Sequence, residues 1–252
     1  MSVLPVSAQT WGTNPMLNHL QAARVNSLNE FIHRFNAEEI PDHIPLSDTT
    51  DIRKLCLAAL FDINQLDSNS IPQAEEFIRR VLESNILLNL HDSNIYAETH
   101  CRFLYGKREV DINVVLQYDE VKPDIYRWAI VGANGLLEAG LIDTAYGGAI
   151  SPVQNEVNFL ELEQAFPHLY ANTPPGTKIE QLSSLMALLS TKTLRYQFCK
   201  GITYHCYAVP GFHFTINQKN RLTGNSGWLI TSVTNISNTP KILIKNLILG
   251  KQ

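Results

Sequence analysis

The run IYAETHCRFLY, residues 95–105, spaces Glu98, His100 and Arg102 two positions apart. At strand spacing these three share a face with Tyr96, while Ala97, Thr99, Cys101, Phe103 and Tyr105 take the other. A carboxylate beside an imidazole can pass a proton, so Glu98 and His100 are candidates for acid–base work. The second face is the more apolar and is expected to meet helices. That leaves Glu98, His100 and Arg102 toward solvent or toward the second half of the chain, as a cross-strand charge pattern worth roughly a few tenths of a kcal/mol per pair. Asp111 and Asn113 alternate with Val110, Ile112 and Val114 in the partner run. Asp111 has two readings. Pointing into a pocket it is a general base that needs a partner such as Arg127. Pointing outward it is an ordinary surface carboxylate, the placement burial preferences favour.

A second group lies downstream. Thr203, His205 and Tyr207 share a strand face, and His213 follows a Pro210-Gly211 kink. They could line a binding groove or form the wet face of a sheet. Gly224-Asn225-Ser226-Gly227-Trp228 reads as a turn needing positive φ, followed by a large anchor whose indole N–H wants a partner. The sharper reading of that motif is a loop poised over a pocket. His205, Tyr207 and Trp228 are therefore the binding candidates. No Cys/His metal spacing occurs, nor does a GxGxxG, a GKS/GKT phosphate loop, a GxSxG or an HExxH. Neither a metal nor a cofactor is expected.

These residues need a scaffold. Leu17, Leu20, Leu28, Phe31, Ile32 and Phe35 form a helical stripe that predicts a helix over 16–35, with Pro15 at its start. Asp48 or Thr49 can cap a second helix running to about Phe61, and Ser70 with Pro72 starts a third. The period then changes to two. Strands are expected over 95–105 and 108–118, joined by a tight turn at Gly106-Lys107, and over 125–131. Residues 143–155 are rich in turn formers. Helices follow over 157–166 and 179–194, then strands over 202–209, 212–216, 228–234 and 242–249. Helices before antiparallel strands, in both halves, argue an α+β fold rather than a parallel βαβ sheet. The expected division is residues 9–145 and 146–252, with 1–8 set apart.

Composition narrows the function classes. Of 252 residues 44% are hydrophobic and 17% charged, so a packed core rather than disorder is expected. The net charge of −4, without a Lys/Arg cluster, argues against a nucleic-acid surface. No apolar run approaches the roughly 20 residues of a membrane helix. The four cysteines are expected to be buried thiols. Cys199 and Cys206 on one extended strand would lie about 23 Å apart, too far to bridge. Cys101 with Cys206, across neighbouring strands, is geometrically compatible with a bridge. The start, MSVLPVSAQ, holds a short apolar run and then Val6-Ser7-Ala8, the small-x-small pattern of a signal cleavage site before Gln9. A basic region and a longer apolar run are missing from it. Residues 1–8 read either as the end of a signal peptide, cut between Ala8 and Gln9, or as the frayed terminus of a cytoplasmic protein.

The segments VNSLNEFIHRFN (25–36), IYAETHCRFLYGKREVDINVVLQYD (95–119), YRWAIVGANG (126–135) and NSGWLI (225–230) resemble a group of uncharacterised exported proteins from Bacteroidetes. The first half looks like the nuclear-transport-factor-like (cystatin-like) α+β cone, in which helices pack into a curved antiparallel sheet. The resemblance covers most of the chain through packing and turn patterns and implies export to the periplasm or the exterior. It carries no catalytic residue. The resulting expectation is a non-catalytic module for a small-molecule or protein ligand. The alternatives are a hydrolase or isomerase using Asp111 or His100, and a structural component of an envelope assembly.

Overall fold

The computed structural model describes residues 24–41, 44, 51–67, 70–91, 94–122, 125–136, 138–141, 180–221, 225–239 and 241–249. The protein is a mixed α+β chain. It divides into two compact units, each drawing on both halves of the sequence: Met1–Leu90 with Cys206–Asn235, and His91–His205 with Ile236–Gln252. The signal-cleavage residues Ala8 and Gln9, and the helix expected over 157–166, lie outside the described residues.

The first unit holds β1 (Arg24–Val25), α1 (Leu28–Phe35), α2 (Ile52–Ala59), a 3-10 turn at Ile63–Gln65 and α3 (Ile71–Glu83). Strands β6 (Phe212–Lys219) and β7 (Ser226–Asn235) complete it. The helix expected over 16–35 is described only from Leu28. Arg24 and Val25 form a short strand instead, parallel to Ser226 and Gly227 of β7. The Ser27 hydroxyl caps α1 by accepting from the Glu30 amide at 3.1 Å. Asp51 caps α2 from the Lys54 amide at 3.0 Å, the role the sequence assigned to Asp48 or Thr49. Ser70 and Pro72 begin α3 as expected, although the Ser70 hydroxyl donates to the Asp67 carboxylate at 2.7 Å rather than serving the helix. The helical stripes converge on Phe77. Its ring is fully buried and meets Phe214 at 5.0 Å, Phe212 at 5.6 Å, Phe61 at 6.0 Å and Phe35 at 6.4 Å, each edge-on. Edge-to-face pairs of this kind add to the area they bury.

The second unit holds β2 (Ile95–Tyr105), β3 (Arg108–Lys122), β4 (Ile125–Asn134), α4 (Glu180–Ser190) and α5 (Lys241–Ile248), together with β5 (Leu194–Cys206) up to His205. Its strand order is β5-β2-β3-β4. The β2–β3 hairpin forms where expected, with Tyr105 opposite Arg108. Gly106 has φ 61° and Lys107 is not among the positive-φ residues, which matches a type II′ connection. Apolar side chains line one face: Ala97, Cys101, Phe103, Ile112 and Val114 are at most 1% exposed.

The segment over 242–249, expected as a strand, is helix α5. Its Ile/Leu run is too short for periodicity alone to separate strand from helix. Tertiary contact decides it. A Cβ on Gly132 of β4 would sit 2.9 Å from both the Cα and the carbonyl oxygen of Leu249, so the end of α5 lies directly against the strand backbone. Strand β5 also starts earlier than expected, at Leu194, where the helical reading had placed the end of α4.

Candidate functional site

The polar face of the second unit brings the first hairpin and β5 together. Glu98 and His100 stand on β2, Asn113 faces His100 from β3, and Thr203 and His205 stand on β5. His205 Nε2–H donates to Glu98 Oε2 at 2.9 Å. Asn113 Nδ2–H donates to Glu98 Oε1, also at 2.9 Å. The Asn113 carbonyl accepts from His100 Nδ1–H at 3.1 Å, which leaves His100 Nε2 to accept from the Thr203 hydroxyl at 2.9 Å. The five side chains thus form one chain of hydrogen bonds: His205–Glu98–Asn113–His100–Thr203. The Asn113 amide holds His100 as the Nδ1–H tautomer and interrupts any path for a proton between the two imidazoles.

The carboxylate end of this chain is largely shielded, with side-chain exposures of 13% for Glu98 and 11% for His205. Burial pushes the Glu98 carboxyl up. The hydrogen bond and charge of His205, aided by the Asn113 hydrogen bond, outweigh burial and hold it below the ordinary carboxylate range. Glu98 is therefore a stable anion, well placed to orient His205 and poorly placed to act as an acid.

Asp111 lies outside that network. It pairs across strands with Arg102, whose Nε donates at 2.6 Å, and Lys200 reaches its other oxygen at 2.6 Å. Arg102 also pairs with Glu109. The Asp111 side chain is 55% exposed, so the outward reading holds, with Arg102 rather than Arg127 as its partner. Arg127 instead pairs with Asp119 on β3, at 2.7 Å. The Arg102 hydrogen bond, then the Lys200 one, holds the Asp111 carboxyl below its ordinary range. Asp111 borders an open depression of about 330 Å³ beside Arg108, Val110, Gly135 and Glu138. Glu98, His100 and His205 do not line it.

The remaining candidates divide between core and network. Tyr207 is buried and stacks on His213, centroids 4.7 Å apart. Trp228 is 9% exposed within β7. Of the turn expected ahead of it, Ser226 and Gly227 are instead the first residues of β7, paired with β1, and Asn225 precedes the strand. Gly227 has φ 95°, and a Cβ there would fall 1.9 Å from the Val25 carbonyl oxygen, so only glycine lets β1 approach. The Asn225 side chain donates to the carbonyls of Phe61 and Ala59. Gly224 lies outside the described residues.

Two features were not visible in the sequence. The first is a buried ion pair in the first unit. Asp62, 0% exposed, accepts from Arg221 at 2.7 Å, with Lys219 at 4.0 Å. The second is a row of rings in the second unit. His91 stacks on Tyr126 at 3.8 Å and 5°, and stands edge-on to Tyr118 at 5.3 Å. Tyr118 packs on Trp128 at 4.0 Å, and Trp128 on Tyr204 at 6.2 Å. His91 is exposed and Tyr118 and Tyr126 are half-buried. The alternating Tyr and Trp of 118–128 hint at this row, but His91 belongs to a connecting segment with no periodicity to read.

Among the described residues no three His, Cys, Asp or Glu side chains cluster to hold a metal, and no helix is long and apolar enough to cross a membrane. All four cysteines are buried free thiols, so Cys101 and Cys206 are not bridged. Comparison with family models, curated proteins and solved structures finds no match.

Proposed function

We propose that this chain is a non-catalytic binding module of an exported protein, taking a ring-bearing small molecule or protein side chain on its aromatic row. One observation carries the reading. Each acid–base side chain nominated from the sequence ends on another residue of the same sheet: Glu98 on His205 and Asn113, His100 on Asn113 and Thr203, Asp111 on Arg102 and Lys200. A catalytic base must instead direct a lone pair or proton at substrate. The His91–Tyr126–Tyr118 rings offer a ligand a partly exposed aromatic surface.

Export rests on Val6-Ser7-Ala8 and on the resemblance to exported proteins of the nuclear-transport-factor-like cone type, which we carry as part of the proposal. A thermal-shift screen against aromatic, heterocyclic and saccharide ligands tests the module. A hit weakened at least tenfold by Tyr126→Ala, and unaffected by His100→Ala, supports it. The second reading, a pocket hydrolase or isomerase, has the shielded Glu98–His205 pair in its favour. Turnover of an ester or isomerase substrate, abolished by His205→Ala or His100→Ala, would replace the binding reading with it.

A further inference from the structure

Four side chains share one face near the end of the β3–β4 pair. Glu120 stands opposite Tyr126, and Tyr118 opposite Trp128. Residues two apart on a strand take the same face, so the two pairs are neighbours there. The next pair inward is Leu116 with Ile130, 1% and 3% exposed. Along this face the surface passes from a carboxylate, through rings, to aliphatic core. Glu120 is exposed, Tyr126 and Tyr118 are half-buried and Trp128 is 4% exposed. The basic residues of the same strand ends take the other face: Arg127 pairs with Asp119 at 2.7 Å, and Lys122 stands opposite Ile125.

The His91 ring marks the shape this face accepts. It comes from the segment between α3 and β2 and lies flat on Tyr126, centroids 3.8 Å apart and planes 5° from parallel. It also stands edge-on to Tyr118 at 5.3 Å. A flat nitrogen ring is thus seated on one phenol and against a second. The faces of Tyr and Trp rings carry negative potential and attract cations. Glu120 adds a full negative charge as the cross-strand neighbour of Tyr126, a placement that sets Cβ atoms about 5 Å apart.

Resting on the aromatic-row reading, we propose that the Tyr126 face is a site for a flat aromatic cation, an arene bearing an amidinium or a protonated ring nitrogen. The ligand takes the place of the His91 imidazole and sets its charge against Glu120. His91 is exposed, so its side chain can turn into water about its own bonds. While it covers Tyr126 it competes with the ligand, and the apparent affinity falls by the fraction of time the face is open. A tetrahedral ammonium lacks the flat face needed to stack as His91 does.

The test titrates the full chain near neutral pH with benzamidine, a flat amidinium, and with benzamide, its neutral counterpart of nearly the same shape, by calorimetry. Benzamidine should bind the parent at least about tenfold more tightly than benzamide. Tyr126→Ala should abolish binding, and Glu120→Gln should cut the preference to less than about threefold. His91→Ala should tighten benzamidine binding at least about threefold, because the internal competitor is gone. A preference that survives Glu120→Gln, or weaker binding in His91→Ala, would overturn the proposal. Benzamide bound as tightly as benzamidine, and lost with Tyr126→Ala, would overturn the cation site while upholding the aromatic row as a ring-binding surface. Binding of neither ring by the parent would overturn both. Glu120 and His91 are exposed, so their replacement leaves the core intact, and the parent comparison decides by itself.

Discussion

Replacing Glu98 by Gln keeps the side chain's shape and removes its charge. In the parent, Glu98 accepts from His205 and Asn113, both at 2.9 Å, behind a side-chain exposure of 13%. A hydrogen bond to a charged group is worth about 1.5–3 kcal/mol, and desolvating the carboxylate takes back part of it. The sign of the balance is visible in the carboxyl itself. Its proton affinity falls on folding even though burial opposes that, so attraction exceeds desolvation. Glu98→Gln should therefore cost about 1–2 kcal/mol near neutral pH.

The pH dependence follows from the same direction. A carboxyl lowered by folding adds stability that is complete above its unfolded value, about 4.3, and is lost as pH falls through the folded value. The gap between parent and Glu98→Gln should narrow in acid, because the parent gives up its charge while the variant has none to lose. Urea unfolding at about pH 7 and about pH 3.5 reads both quantities. A gap that stays constant between the two, or that is absent at neutral pH, would refute the charge-assisted account of the network.

Arg221→Met should destabilise the first unit by about 3 kcal/mol, because it leaves Asp62 buried with only the more distant Lys219 for charge. Adding Asp62→Asn should recover much of the loss, as urea unfolding of the double variant would show. Gly227→Ala should cost at least about 2 kcal/mol, since its Cβ collides with the Val25 carbonyl at positive φ. Hydrogen exchange at β1 should then rise while the β2–β3 hairpin stays protected. Asp111→Ala should change stability by less than about 1 kcal/mol, since its partners are solvent-exposed ion pairs. A larger loss in thermal unfolding would mean that Asp111 supports more than the surface cluster.

The local rules were legible wherever one residue type dictates backbone geometry. Gly106 marks the hairpin loop, Ser70 with Pro72 marks the start of α3, and strict alternation from Ile95 to Val114 sorts the two faces of β2 and β3. The capping of α2 was harder to place, because Asp48, Thr49 and Asp51 are chemically equivalent caps and only backbone geometry selects Asp51. The apolar run at 242–249 satisfied two periods at once. It is a helix, and Leu249 just past its end packs against Gly132 of β4.

By itself the sequence determined an α+β chain, the span and loop of its first hairpin, and the candidacy of Glu98, His100 and Asp111. Those features depend on side-chain period and on conformational limits that act within a few residues. Only the tertiary structure decided what the candidates do. Strand order brought His205 to Glu98 and Thr203 to His100, contacts that span over a hundred positions. Hydrogen bonds and ion pairs act over a few ångströms of space, and nothing in local spacing specifies which distant strand will supply the partner. The carboxylate and imidazole two residues apart, which opened as a proton-sharing pair, are joined in the fold through the side-chain amide of Asn113 instead.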